Sequence, residues 1–543
     1  MKYYLLSIAF ILSLFTNAQT VVGLQYNTAG NLDNGYVLFA PISSQDTFLI
    51  DKCGNEVHRW SGNNRPGQSV YLLPDGDLLR TGNVNNQSFN AGGKGGLIER
   101  IDWNGNVVWS YTVASTTELQ HHDVKMMPNG NILIISWELK TAAMAIAQGR
   151  NPAQVPNDLW SEKIIEVQPV GTNGGNIVWA WHLWDHLTQD FDTNKPNYSA
   201  VIEEKLVDLN YKATANQEDW IHFNSVDYNA ALDQIVISVH NFDEVWIIDH
   251  STTTTQAASH AGGNSLKGGD LLYRWGNPAA YGMGTASDQK LYGQHNVYWI
   301  ETGFPYAGQL MIFNNGLGRN FSSVEIIDTP QTGFTYNSTL PYLPASASYE
   351  YNAGNTENLY AQNISGSQLL SNGNVLICSG PTGEFIEVDT NGTEVWRYIN
   401  PINGSGVINQ GITPTQNAVF RATFYPDSYS AFNGRILTPA GTIESSNTVT
   451  ANCTTSLGIE ETTINKIELY PNPASDFVFI NYVVANDNET ILIYNTLGQL
   501  IKNVNLIQGD SFTRLDVSSL NSGIYLLKVG ESNDSQILKL VVK

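Results

Sequence analysis

The stretch SVYLLPDGDLLRTGN, residues 69–83, with its continuation LIERIDWNGNVVWSY, residues 97–111, decides the fold. Apolar residues come in short blocks of strand length. Two turns, Pro-Asp-Gly-Asp and Trp-Asn-Gly-Asn, put a glycine where a tight hairpin needs one. The unit reads as four strands joined by hairpins, the last ending in Val-Trp. It recurs: HDVKMMPNGNILIISWE (122–138) leads past an insertion into KIIEVQPVGTNGGNIVWAW (163–181), and GSQLLSNGNVLICSG (366–380) leads into EFIEVDTNGTEVWRY (384–398). Looser copies occupy 224–278 and 295–328, and a first copy opens at 36–60.

These copies make six units, each roughly the 40–50 residues of a propeller blade plus insertions. A four-stranded twisted sheet cannot bury both faces alone, whereas radial stacking buries them and leaves only short edges. The fold predicted is all-β: a six-bladed β-propeller followed by a small C-terminal β-sandwich. AVFRATFYP (418–426) is placed to close the ring. Trp60, Trp109, Trp179 and Trp396, at or near the ends of the repeats, are expected to pack between blades.

Composition narrows the function. The formal charge of −23 argues against nucleic acid, whose phosphates need a basic face. An anionic ligand would need a site that is locally positive, against the overall field. Only 14% of residues are charged, while Gly, Asn, Thr and Tyr abound, which fits an exported all-β protein. The N-terminus reads as a signal peptide: Lys2, an apolar run from Leu5 to Phe15, then Thr16-Asn17-Ala18, with cleavage expected after Ala18. No other stretch is apolar and long enough to span a bilayer. Of Cys53, Cys378 and Cys453, one pair can bridge and one thiol is left over; the pairing is not readable. The expected divisions are a leader at 1–18, the propeller at 19–445, a Ser/Thr-rich linker at 446–466 and a compact tail at 467–543.

The histidines carry the chemistry. Aligned on the turn glycines Gly76, Gly130 and Gly373, the innermost strands begin with Gln68, His122 and Ser365, and the looser copies put His222 and His295 at the corresponding strand start. First strands line the central channel of a propeller, so three imidazoles from distant sequence are expected at one rim. His182 and His186 in WHLWDHL could share a helix face, but no third ligand is spaced nearby and no metal is expected. His58, His250 and His260 read as surface or turn residues. Tyr298, Trp299 and Phe223 could stack an aryl ring or simply fill core strands.

The tail resembles the C-terminal sorting domain of the type IX secretion system of Bacteroidetes-type bacteria. The residues that carry the likeness are Leu469-Tyr470-Pro471-Asn472-Pro473, Tyr494-Asn495 with Leu497-Gly498, Leu515-Asp516 with Leu520, Gly523-Ile524-Tyr525 and the terminal Lys543. The resemblance implies export across both membranes, with the type IX machinery as partner and the tail as a removable address.

The repeat region, about residues 35 to 430, resembles the bacterial arylsulfotransferases. HHDVKMMPNGNILIISWE, DWIHFNSVDYN, VISVHNFDEVWIID, DLLYRWGNP, and QHNVYWI with GQLMIFNNG carry it, in that order. The family moves a sulfuryl group from one phenol to another without nucleotide or other cofactor, a histidine holding the group in transit. The resemblance implies His295 as the carrier, His222 as a second site histidine and Arg274, in YRWG, as the residue holding sulfate oxygens. His240 or Asn241 takes a fourth position. A one-residue shift in a strand turns a side chain to the other face, so the two are expected to be exclusive, with His240 favoured as the cation. His122 and Asn241 are assigned to substrate binding.

That assignment is chemically coherent. A neutral imidazole is a good nucleophile near neutral pH and gives a two-step, ping-pong route. A guanidinium fork matches a tetrahedral oxyanion, and a second histidine can exchange a proton with leaving and entering phenols. The competing reading is a non-catalytic secreted propeller that binds glycans or surface ligands. A metal-dependent hydrolase is disfavoured by a rim richer in imidazole than carboxylate.

Overall fold

A computed structural model describes residues 21–445 except 29 and 338, residues 447–453, and residues 468–543 except 471, 482–489, 497, 506–511 and 530–535. The expected leader and most of the expected linker lie outside the described residues. The chain forms two compact units, one up to Thr454 and one from Thr455 onward.

The first unit contains six antiparallel sheets of propeller-blade type. Blade two is Pro66–Leu72, Leu78–Asn83, Gly96–Ile101 and Val107–Thr112, ordered from the inside out. Blade three is Glu118–Met126, Ile132–Thr141, Asp158–Val170 and Gly174–His182. Blade four is Phe223–Asn229, Gln234–Val239, Glu244–Asp249 and Tyr273–Trp275, and blade five is His295–Trp299, Leu310–Asn314, Ser323–Ile327 and Tyr349–Tyr351. Blade six is Gly366–Leu369, Val375–Ser379, Glu384–Val388 and Glu394–Ile399.

Both ends of the unit help to close the ring. Val419–Pro426 adds itself as the innermost strand of blade one, beside Gly35–Pro41, Asp46–Asp51 and Glu56–Ser61. Gly23–Asn27 pairs with the outer strand of blade six as a fifth strand. The innermost strands of neighbouring blades touch all the way round. Cys53 and Cys453 form the disulfide, pinning the segment after the last strand to blade one, and Cys378 remains a buried free thiol.

The Val-Trp endings explain how blades lock together. Each indole is buried and donates to the turn between the third and fourth strands of the following blade. Trp60 reaches the Asp102 carbonyl at 3.2 Å, Trp109 the Gly174 carbonyl at 2.8 Å, Trp179 the Thr252 hydroxyl at 3.1 Å and Trp396 the Lys52 carbonyl at 2.8 Å. Trp275 of blade four does the same with the Pro344 carbonyl of blade five at 2.8 Å. One side chain thus supplies apolar area to the interface and satisfies its only polar atom across it.

The second unit has a three-stranded sheet, Glu468–Tyr470, Phe477–Asn481 and Phe512–Asp516, and a four-stranded one, Leu500–Asn505, Thr490–Asn495, Gly523–Val529 and Gln536–Val542. Val478, Ile480, Ile491, Ile493, Leu527 and Leu540 fill the core between them. None of the ten histidines lies in it. No helix among the described residues is long and apolar enough to cross a membrane.

Candidate active site

A backbone peculiarity recurs within or just before the innermost strands of four blades. Gln68, His122, His222 and Ser365 have positive φ angles of 110°, 51°, 61° and 86°. In blade five the left-handed residue is Asn296, at 53°, one place after His295. The sheet register slips beside this point in blades two to five. Such bulges re-aim side chains, and strained backbone of this kind concentrates at functional sites.

The result is a row of imidazoles. Ring centroids of His122 and His222 are 4.6 Å apart, those of His222 and His240 5.2 Å, and those of His240 and His295 5.3 Å. His121 stands behind His122, its Nδ1 2.9 Å from the His122 Nδ1, and its Nε2 is 2.9 Å from the buried Glu162 carboxylate. Phe420, on the strand that closes blade one, faces both His122 and His295. Gly93 lies against His122: a Cβ there would stand 1.9 Å from the ring, and its φ of +85° is left-handed, so only glycine fits.

Hydrogen bonds assign the tautomers. Asn315 spends its amide nitrogen on the carbonyls of Ala361 and Ile364, so its oxygen faces the His295 Nδ1 at 2.8 Å. The Gly293 carbonyl lies 3.2 Å from the same nitrogen. Both are acceptors, so Nδ1 carries the proton and Nε2 keeps its lone pair. Asn241 works alike: its nitrogen donates to the Asp219 carbonyl at 2.8 Å, and its oxygen accepts from the His240 Nδ1 at 2.8 Å. His222 instead donates from Nδ1 to the Asp219 carboxylate.

Protonation follows. Burial, with the neighbouring His240 ring acting in the same direction, pushes His295 well below the ordinary imidazole range. Burial and the charge of His222 bring His240 down to about 4. Burial alone would also neutralise His222, but the Asp219 carboxylate outweighs it and holds that ring above the usual value. The row therefore sets one ring whose protonated form is favoured, His222, beside rings whose neutral forms are favoured.

Arg274 is not among them. Its strand is the outermost of blade four, and its fully buried guanidinium forks onto Glu244 and donates to the Leu206 carbonyl at 3.0 Å. It packs against Trp246 and Tyr281. Its fork is committed to a structural ion pair at the ring's periphery, and the expectation that it holds substrate oxygens is corrected on that ground. The supposed choice between His240 and Asn241 is corrected too. They sit in a 3-10 turn, His240–Phe242, rather than in a strand, so the strand alternation does not apply; one ring joins the row and the amide behind it sets its tautomer.

A different arginine stands at the centre. Arg421, on the innermost strand of blade one, donates from Nη1 to the Tyr71 hydroxyl of blade two at 2.7 Å and to the Asp123 carboxylate of blade three at 3.2 Å. Its stem passes Gly366 of blade six. A side chain that touches three other blades lies on the axis. Its guanidinium covers the Phe420 ring, and its buried Nε and Nη2 have no partner among the described residues. Asp219 also lines a cleft of about 400 Å³, together with Asn90, Trp160, Asn216 and Gln217.

Residues 36–429 match the model of a family described as arylsulfotransferase, and residues 468–543 match that of a secretion system C-terminal sorting domain. No curated protein matches the chain. Similar solved structures include a protein of unknown function from Bacteroides caccae, 10% identical, with 72% of this chain and 98% of that one covered and a TM-score of 0.40. A streptogramin B lyase is 10% identical, with 76% and 96% covered and a TM-score of 0.35. The β-propeller domain of Cps50 (Swd1) from Myceliophteria thermophila is 9% identical, with 69% and 89% covered and a TM-score of 0.33.

Proposed function

The chain belongs to the arylsulfotransferase family and carries a type IX sorting domain for secretion or cell-surface export, and from that premise we propose that the imidazole row carries a sulfuryl group from an aryl sulfate to a phenol, with His295 as the carrier. The single observation behind this reading is the His295 ring, whose Nδ1–H is held by Asn315 and Gly293 and whose Nε2 lone pair is free beside the His240 ring.

In the first half-reaction the His295 Nε2 lone pair attacks sulfur. The S–N bond forms as the S–O bond to the aryl group breaks, and the aryloxide takes the Nε2 proton of the His222 imidazolium. In the second, an incoming phenol passes its proton to the neutral His222 while its oxygen attacks sulfur, and the S–N electron pair returns to His295. Arg421 supplies fixed N–H donors for the sulfuryl oxygens, a stabilisation that resembles phosphoryl transfer in needing charge and position rather than covalent work. His240, its Nδ1 proton held by Asn241, stands between His222 and His295 and walls the space in which the phenol oxygen approaches sulfur. His122, backed by His121 and Glu162, closes the other end of the row.

His122 and His295 are almost wholly buried and His222 and His240 are only partly exposed, which suits a water-sensitive sulfuryl intermediate better than a glycan-binding rim. The leader at 1–18 would deliver the chain to the periplasm, and the tail to its secretion machinery. The test is to mix the purified protein with 4-nitrophenyl sulfate, with and without a phenol acceptor. Acceptor-dependent release of nitrophenol supports the proposal, and release indifferent to acceptor contradicts transfer.

A further inference from the structure

Away from the channel, His186, His260 and Asp270 bring three donor atoms within 4.8 Å of one another. His186 follows the outer strand of blade three. His260 and Asp270 come from the insertion between the third and fourth strands of blade four. The Asp270 Oδ1 is 2.9 Å from the His186 Nδ1 and 2.7 Å from the His260 Nδ1. His182, which the sequence paired with His186, points elsewhere, to Glu138 at 3.2 Å.

The second nitrogen of His186 makes the cluster unusual. Its Nε2 lies 2.8 Å from the Ala257 carbonyl, which can only accept, so Nε2 carries a proton. In a neutral ring Nδ1 then presents a lone pair to a carboxylate oxygen. Two acceptors meet at hydrogen-bond distance, and either a second proton on the ring or a metal cation must stand between them. A carbonyl fixing the far nitrogen of a histidine is also how metal-ligating imidazoles are oriented. The ring is held rigidly: it stacks on Trp181 with an interplanar angle of 4°, and the Trp181 indole donates to the Gly269 carbonyl at 2.7 Å. A Cβ on Gly269 would stand 2.0 Å from the Ala257 oxygen and 2.6 Å from the His186 Nε2, so the walls close on the ring.

We infer that His186, His260 and Asp270 bind a zinc ion. Two imidazoles and one carboxylate suit zinc and are too nitrogen-rich for calcium or magnesium. His260 is exposed, so a water can complete the tetrahedron. The ion would staple the segment that leaves blade three to the insertion of blade four, a structural role distinct from the imidazole row.

The test uses the full chain after dialysis against a chelator. Zinc is added while binding stoichiometry is followed by calorimetry and the thermal midpoint by scanning. We expect one zinc per chain, a midpoint raised by zinc, and in His260→Ala at least a tenfold loss of affinity and of the zinc-dependent rise, each variant being compared with its own zinc-free midpoint. Asp270→Asn should lose binding as well; if it does not fold, His260→Ala decides. A wild-type midpoint indifferent to zinc overturns the inference. So does zinc binding that survives His260→Ala and is lost in His240→Ala, which would put the ion in the channel.

Discussion

The His240 and His295 rings stand 5.3 Å apart, centroid to centroid, at an angle of 71°, although they belong to different blades. Each has its Nδ1 proton taken by an asparagine oxygen, Asn241 for one and Asn315 for the other. The two amides are themselves anchored on backbone carbonyls, so both rings offer Nε2 to their surroundings.

Replacing His295 by Ala should reduce transfer by on the order of 10⁴-fold, with an unchanged circular dichroism spectrum. Asn315→Ala frees the ring to rotate and to change tautomer. It should cost about 10²-fold in kcat while leaving the nucleophile present. Steady-state rates with 4-nitrophenyl sulfate and a phenol acceptor check both.

The proton of His222 depends on Asp219. Asp219→Asn removes the charge that offsets burial, so the protonated form of His222 is no longer favoured. The wild-type profile should fall on the alkaline side as pH rises through the raised His222 value, and in Asp219→Asn that limb should move to lower pH. The loss should be larger for phenyl sulfate than for 4-nitrophenyl sulfate, whose leaving group needs less acid help.

Arg421→Gln should cost about 10²–10³-fold in kcat/KM by removing fixed donors at the sulfuryl oxygens. Arg274→Gln should instead reduce stability, because it leaves Glu244 buried without its partner. Activity per folded molecule and thermal midpoints separate the two arginines.

His250 is bonded to Asp233 and to Glu166 of the adjoining blade. Burial works against its charge, but the two carboxylates raise it to about 9. That contribution is present in full below about 6.5 and is lost as pH rises through about 9, on the order of 3 kcal/mol in all. His250→Ala should flatten the fall in stability over that window, as read by denaturant unfolding at several pH values.

Trp109→Phe keeps most of the apolar area and loses the hydrogen bond to Gly174, which should cost about 1 kcal/mol. Trp109→Ala opens a cavity between blades and should cost roughly 3–5 kcal/mol. Thermal unfolding of the two variants checks the ratio.

Much of this architecture was legible in the chain. The Asn-Gly turns and Val-Trp endings encode local hairpins and an inter-blade contact, both periodic in sequence, so the blades could be counted. Gln68, His122 and Ser365 aligned through their glycines, and the same left-handed backbone marks all three. Arg274 was misplaced because a local match cannot tell an inner strand from an outer one. Arg421 could have been found: AVFRATFYP was recognised as the closing strand, and a cation on the innermost strand of a blade points at the axis. Asp219 stands three residues before His222 and its pairing was open to a local reading, whereas His121 and Asn315 take their roles from partners distant in sequence, Glu162 for one and the Ala361 and Ile364 carbonyls for the other. The partner of His186 was invisible for the same reason: His260 and Asp270 lie across a blade boundary.

The most direct test of the carrier histidine is to mix the enzyme with 4-nitrophenyl sulfate in the absence of acceptor, quench in alkali, and map peptides by mass spectrometry. The account predicts one sulfuryl group per chain on the peptide containing His295, discharged when a phenol is added before the quench. Stoichiometric labelling of another residue, or full turnover with His295 replaced by Ala, would contradict it.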